Sequence, residues 1–157
     1  VKRRPTGKLS TIENEVIAEI RALKASPPVG FASVLLESPA RTTHHFILSS
    51  HGNVHLRLTI IAQELGMEMR TLERLFFAEY KRTMAQCQIE ARVAFSKWLL
   101  SIFPPTKISS VASSVGYSQV QDFNRFFKKH MLQSPSAWSQ KERARIAREQ
   151  ERRSRNP

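Results

Sequence analysis

The chain has 157 residues, 41% of them hydrophobic, which leaves room for one domain or two very small ones and excludes a wholly disordered chain. Lys and Arg number 25 against 13 Asp and Glu, and the net charge of +12 favours a polyanionic partner, nucleic acid ahead of an anionic membrane surface. The single cysteine, Cys87, excludes a disulfide framework and a cysteine-built zinc site, while the apolar stretch 29–36 falls far short of the roughly 18 residues of a membrane span.

Val1-Lys2-Arg3-Arg4 leads into Glu13, Glu15 and Glu19, so no signal-peptide core follows the basic start. The expectation is a small soluble protein of a reducing compartment. Its first residue is Val1 and not Met, which leaves room for a fragment lacking an upstream region. Residues 10–25 predict an amphipathic helix, with Ile12, Val16, Ile20 and Leu23 at helical spacing. Ser10 and Glu13 form a capping box, and Pro27-Pro28 ends the helix. One such helix cannot bury its apolar face alone, so it docks on the rest of the chain or on another chain. Residues 26–41 hold Pro27, Pro28, Gly30 and Pro39 without a helical period and read as a linker.

From about Thr42 an internal repeat emerges. Ile61-Ala62-Gln63-Glu64-Leu65-Gly66-Met67 matches Val111-Ala112-Ser113-Ser114-Val115-Gly116-Tyr117 at an offset of 50. Leu72-Glu73-Arg74-Leu75-Phe76 matches Phe123-Asn124-Arg125-Phe126-Phe127 at an offset of 51. Each copy has a short apolar segment with Ala where a second helix approaches, then a glycine for a left-handed turn, then a longer amphipathic segment. That order is a helix-turn-helix unit. Ser118 with Gln121 predicts a capping box on the second long helix, whereas Glu68 caps the first one poorly. Between the copies, residues 85–100 predict a connector helix with Ile89, Val93, Ser96 and Leu100 in one stripe, widened by Arg92, Trp98 and Leu99, and stopped by Pro104-Pro105. Pro135 and Trp138 seal a last short helix. The tail, 141–157, has seven basic residues against three acidic ones and either extends as a charged helix or stays without structure.

These motifs resemble the DNA-binding domain of the AraC/XylS family of bacterial transcription regulators, over about residues 56–138. The first unit carries the resemblance in Ile61-Ala62, Leu65-Gly66-Met67, Arg70-Thr71-Leu72 and Arg74-Leu75-Phe76, and the connector in Ala91-Arg92-Val93 and Lys97-Trp98-Leu99-Leu100. The second unit carries it in Val111-Ala112, Val115-Gly116-Tyr117-Ser118, Asp122-Phe123, Arg125-Phe126-Phe127-Lys128-Lys129 and Ser134-Pro135-Ser136-Ala137-Trp138. Lys81 and Leu132 stand where the family usually has glycine, so those turns are expected to differ locally; Met84 replaces a common proline and Ser96 a usual alanine.

The expected architecture is all-α: an N-terminal extension at 1–41, a DNA-binding domain at 42–140 and a basic tail at 141–157. Within the domain the helix-turn-helix units fall at about 58–80 and 108–130, joined by a connector at 85–101. That connector, at ~1.5 Å per residue, spans ~25 Å against the ~34 Å between successive major-groove faces, so either the DNA bends or one helix seats fully. With Leu72, Leu75 and Phe76 turned to the core, Met69, Arg70, Glu73 and Arg74 are left for base contact. The resemblance also implies DNA-facing roles for Arg70, Glu73 and Arg74. On the second helix Phe123, Phe126 and Phe127 are core, leaving Val120, Gln121, Asn124 and Arg125; arginine reads guanine, glutamine adenine, and valine packs on a thymine methyl. Arg82, Lys97, Lys107, Lys128 and Lys129 are assigned to phosphates. From 91 to 141 seven basic residues face a single acid, Asp122, so the second unit is expected to supply most of the sequence-independent attraction.

Arg92, inside the connector, is as readily a structural pair or cap as a DNA contact. Phe76, Phe123, Phe126, Phe127, Trp98 and Trp138 read as core and not as base-stacking platforms. Gly52 and Asn53 interrupt the His51/His55 pair, and His44, His45, His51 and His55 have no acidic or cysteine partner nearby, so no metal, catalytic group or cofactor is expected. Cys87 reads as a small buried residue. The partner is double-stranded DNA, with RNA polymerase as a further partner and a homodimer formed through the N-terminal helix or a region before Val1; membrane contact is not expected. The setting is the bacterial cytoplasm, on the nucleoid, in an activator's role. The alternative is a protein-interaction module that touches the transcription machinery with DNA contact secondary.

Overall fold

The computed structural model describes residues 7–25, 37–102 and 106–155, and among these every regular element is a helix, as expected for an all-α chain. In order they are α1 (Thr11–Ala25), α2 (Pro39–Ser49), α3 (Leu58–Glu64), α4 (Met69–Tyr80), α5 (Met84–Ser101), α6 (Ile108–Ser114), α7 (Val120–Met131) and α8 (Pro135–Arg155). Packing divides the chain into two units, Val1–Ala91 and Arg92–Pro157, and α5 gives its first part to one and its second part to the other. Pro27-Pro28 and Pro104-Pro105, expected to end α1 and the connector, lie outside the described residues.

In the first unit the Ser10–Glu13 capping box forms as read: the Ser10 N–H donates to Glu13 Oε2 at 2.9 Å, and the Glu13 N–H to Ser10 Oγ at 3.2 Å. Glu13 does more than cap. Its side chain is only 1% exposed, and Arg57 forks onto it, Nε to Oε1 at 2.6 Å and Nη2 to Oε2 at 2.9 Å, while the Arg57 backbone N–H reaches Oε1 at 3.1 Å. Arg57 is the N-cap residue of α3, so this carboxylate ties the start of α1 to the start of the first helix-turn-helix. The Arg57 fork, helped by the two backbone donors and opposed by burial, holds the Glu13 pKa down to about 2. Val16 and Ile20 then bury against Phe46, Leu56 and Ile61. The apolar face of α1 is therefore taken up within its own chain.

A second cluster of the same unit joins Ala40 and Ile47 of α2 to Ala62, Leu72, Phe76, Met84, Cys87 and Ala91. Ser38 caps α2 by accepting from the Arg41 N–H, and Pro39 opens the helix, so residues 39–41, read as the end of a linker, make its first turn. Arg41 Nε meets Glu79 Oε1 at 2.6 Å and fastens α2 to α4. Thr83 and Gln86 form a capping box that starts α5 at Met84.

The repeat is reproduced element by element. Helices α3 and α6 are offset by 50 residues, α4 and α7 by 51. Gly66 (φ 72°) and Gly116 (φ 94°) turn left-handed. The Met67 N–H donates to the Ala62 carbonyl at 3.0 Å, and the Tyr117 N–H to that of Ala112 at 2.9 Å, closing the same six-residue helix stop in both copies. In the second unit Leu100, Val111, Ala112, Val115, Phe123 and Phe127 form the core, flanked by half-buried Phe126 and Trp138. Ser139 Oγ donates to the Leu100 carbonyl at 2.8 Å and seats α8 on the end of α5.

Four local expectations change. Ser118 and Gln121 make no box: Gln119 occupies the N-cap of α7 and no side chain caps it, because the helix starts one residue later than that spacing requires. Lys81 (φ 55°) and Leu132 (φ 58°) keep the left-handed turn that a glycine would make there, despite their Cβ atoms. Along α5 the buried stripe is Met84, Cys87, Ala91, Arg92, Ser96 and Leu100, with Ile89 and Val93 only half-buried. Trp98, two positions from both Ser96 and Leu100, lies about 200° around the helix from each and is 56% exposed, not core. The charged tail extends as a helix continuous with the expected short closing one, to Arg155.

Glu13→Ala is expected to lower stability by about 3 kcal/mol in chemical denaturation, since Arg57 loses its buried partner. The pH sign follows from the depressed carboxyl: its contribution is complete above the unfolded value of 4.5 and is lost as pH falls through about 2, a dependence that Glu13→Gln removes. Leu132 is 89% exposed, so Leu132→Gly gives up little burial and relieves the left-handed strain; a gain of about 1 kcal/mol in thermal unfolding is expected.

Candidate nucleic-acid interface

The second helix of each pair is sided by its apolar residues. On α4, Leu72 and Phe76 are fully buried, and Arg70, Glu73 and Arg74 stand exposed on the other side. On α7, Phe123 and Phe127 are fully buried, and Gln121, Asn124 and Arg125 are exposed. The two outward sets are equivalent: Arg70, Glu73 and Arg74 correspond to Gln121, Asn124 and Arg125 at the repeat's offset of 51. Met69 and Val120 open the two helices at the same offset, and both are half-buried. Met69 leans on the first unit's core and lines a groove of about 590 Å³ with Leu58, Phe77 and Met84, edged by Arg70, Glu73 and Arg74.

Phe77, 53% exposed in this groove, is not among the expected site residues. Its signal was available, because it lies about 100° around the helix from Phe76 and so leaves the core face. Arg125 Nη1 sits 3.3 Å from Asp122 Oδ1, one turn back, with both side chains open to solvent.

Residues 61–141, more than half of the chain, match the family described as "Helix-turn-helix domain". The chain belongs to the AraC-type helix-turn-helix family. That family is one of DNA-binding transcription regulators and not of enzymes, and this chain is of that class. The fold is similar to the C-terminal domain of AraT, a response regulator from Geobacillus stearothermophilus (23% identity, 66% of this chain and 84% of that one, TM-score 0.60). It is also similar to the DNA-binding domain of AdpA, a global transcriptional factor solved with a target DNA (22% identity, 69% and 96%, TM-score 0.60). A third similar structure is a DNA-binding transcriptional dual regulator from Escherichia coli K-12 (21% identity, 74% and 97%, TM-score 0.55). Comparison with curated protein sequences gives no match.

The cations of this AraC-type domain divide into bonded and open ones. Lys107, Lys128 and Lys129 are exposed, the last two in the final turn of α7, where a cation also suits the helix dipole. Arg82 is paired with Glu90, and Lys97 Nζ lies 5.7 Å from the Trp138 ring centre; both are half-buried. Neither is as open to a phosphate as the three lysines. Charge is uneven between the units: 92–157 hold 13 basic and four acidic residues, whereas 1–91 hold 12 basic and nine acidic.

Arg92 is buried and faces the protein. Its guanidinium carbon lies 5.0 Å from the Phe126 ring centre and 5.8 Å from that of Tyr117, and Nη1 donates to the Tyr117 hydroxyl at 3.2 Å. It packs the aromatic back of α7 rather than a phosphate. Cys87 is buried, and that burial pushes its thiol pKa up, away from nucleophile chemistry. His44 stacks on Tyr80 with ring centres 4.3 Å apart, and His45 Nε2 lies 3.6 Å from Glu19 Oε1. Among the described residues no three His, Cys, Asp or Glu side chains gather as a metal site, and no helix is long and apolar enough to cross a membrane.

Arg92→Ala is expected to destabilise the second unit by about 2 kcal/mol in thermal unfolding, by uncovering two aromatic faces and orphaning the Tyr117 hydroxyl. An unchanged melting temperature would refute its structural role.

Proposed function

We propose that this chain reads duplex DNA in sequence-specific fashion, with α4 and α7 each entering the major groove. Arg70, Glu73 and Arg74 on one, and Gln121, Asn124 and Arg125 on the other, contact base edges, with Met69 and Val120 giving apolar contact. Lys107, Lys128 and Lys129 bind phosphates, and Arg82 and Lys97 do so from the periphery. The observation that carries this reading is the equivalence of the outward positions. The two helices keep the same three positions polar and open, with arginine at the third in both, while the opposite face is buried. Charge concentrated in 92–157 supports the phosphate part.

Arg125 is 80% exposed, and its guanidinium offers the two parallel donors that a guanine edge accepts. A second reading, a surface for RNA polymerase or another protein, draws on exposed Trp98, stacked on Phe95 at 5.7 Å, and has no charge partner to name. Dimerisation through α1 has less to draw on, since Val16 and Ile20 are already buried.

Selection of bound duplexes from a random pool, followed by fluorescence anisotropy, tests the reading. A defined motif is expected, and Arg125→Ala should weaken binding to it by about 1–3 kcal/mol while relaxing preference at one position. Equal affinity for every duplex, unchanged by that substitution, would refute it.

A further inference from the structure

Helix α8 runs from Pro135 to Arg155, and the family match ends at 141, so its last fourteen residues lie beyond the shared pattern. Its start is anchored by Ser139 and Trp138, whereas every residue from 147 to 155 is exposed. No core holds that part. It is held along its own length by Glu142–Arg145 (2.7 Å), Arg145–Glu149 (3.1 Å) and Glu149–Arg153 (3.1 Å), and by basic residues in its last turn.

The basic residues are not scattered around this helix. Lys141, Arg145, Arg148, Arg152 and Arg155 follow one another at spacings of four, three, four and three. At 100° per residue they fall within an arc of about 80° and form a stripe ~21 Å long. The acids lie off it: Glu142 and Glu149 flank one edge and Glu151 the other. Arg145 is engaged by the two flanking acids, while Lys141, Arg148, Arg152 and Arg155 have no ion pair among the described residues. A solvated charged helix held by its own ion pairs has no need to place five cations on one line, four of them unpaired and repelling one another.

We infer that this stripe is a phosphate-binding rail that lies along the backbone of the same duplex the helix-turn-helix units engage. The inference rests on the DNA-reading function proposed above. Charge complementarity selects the occupant: a row of cations at a regular spacing of about 5–6 Å matches a rod of regularly spaced phosphates. The stripe carries no apolar side chain that would enter a bilayer, and Ile146 lies well around the helix from it. Such contacts hold the protein on DNA without reading sequence, so they add equally to target and random duplexes.

The test is the triple variant Arg148→Gln/Arg152→Gln/Arg155→Gln in the full chain, compared with Arg148→Lys/Arg152→Lys/Arg155→Lys. Gln and Lys have helix propensities close to that of Arg, and far-ultraviolet circular dichroism checks that α8 is retained. Anisotropy is measured across a salt series on the selected duplex and on a scrambled one. The Gln variant is expected to weaken both duplexes by the same factor and to lower the slope of log K against log salt by about 2–3. The Lys variant, with its charge intact, is expected to keep the parent slope. An unchanged slope in the Gln variant, with Arg125→Ala still weakening the selected duplex, would overturn the rail and leave the DNA-reading function standing. Failure of the parent chain to bind any duplex would remove both. Gln substitution that abolishes binding to phosphatidylglycerol vesicles or polyglutamate while duplex binding persists would assign the stripe to another polyanion and overturn the rail.

Discussion

Two left-handed turns, at Gly66 and Gly116, set the geometry on which the interface depends. Each ends a short helix after a buried Ala, closes it with a bond from three residues beyond the helix back to that Ala carbonyl, and sends the chain into the next helix. Ala62 and Ala112 are small enough for the second helix to approach closely. Once that approach is made, the buried residues Leu72 and Phe76 or Phe123 and Phe127 fix the rotation of the long helix. The outward positions then follow with no freedom left. What each copy displays to a partner is the residue of a packing problem solved on the other side.

The two copies solve that problem with different support. The first unit adds α1 and α2, and the Glu13–Arg57 fork and the Arg41–Glu79 pair bind these added helices to α3 and α4. The second unit uses aromatic rings, with Arg92 lying over the Tyr117 and Phe126 rings behind α7. One unit is pinned by charge paired within the protein and holds 12 basic against nine acidic residues. The other holds 13 basic against four acidic residues, so Lys107, Lys128, Lys129 and most arginines of α8 face solvent as a basic excess.

Most of the architecture was legible in the sequence because it is encoded locally. Helical spacing marked the buried faces of α1, α4 and α7, the offset of 50 and then 51 marked the repeat, and a glycine in each copy marked the turn. The outward residues were legible by subtraction from those faces. Trp98, expected in the core as an aromatic at helical spacing, is exposed, and Phe77 lies one position off the buried face of α4, because one or two helix positions decide burial. The expected Ser118 box failed for a similar reason: a matching spacing does not say which residue begins the helix.

The sequence by itself determined that the chain is helical, that it is duplicated and which face of each long helix turns inward, since these depend on periods of three to four residues and on a glycine's tolerance of positive φ. Only the tertiary structure decided the rest. That Glu13 is a buried anchor and not just a cap depends on Arg57, 44 residues away. That Arg92 faces rings and not phosphate depends on where α7 lies against α5. Each of these joins residues far apart in the chain, and no local period records such a pairing.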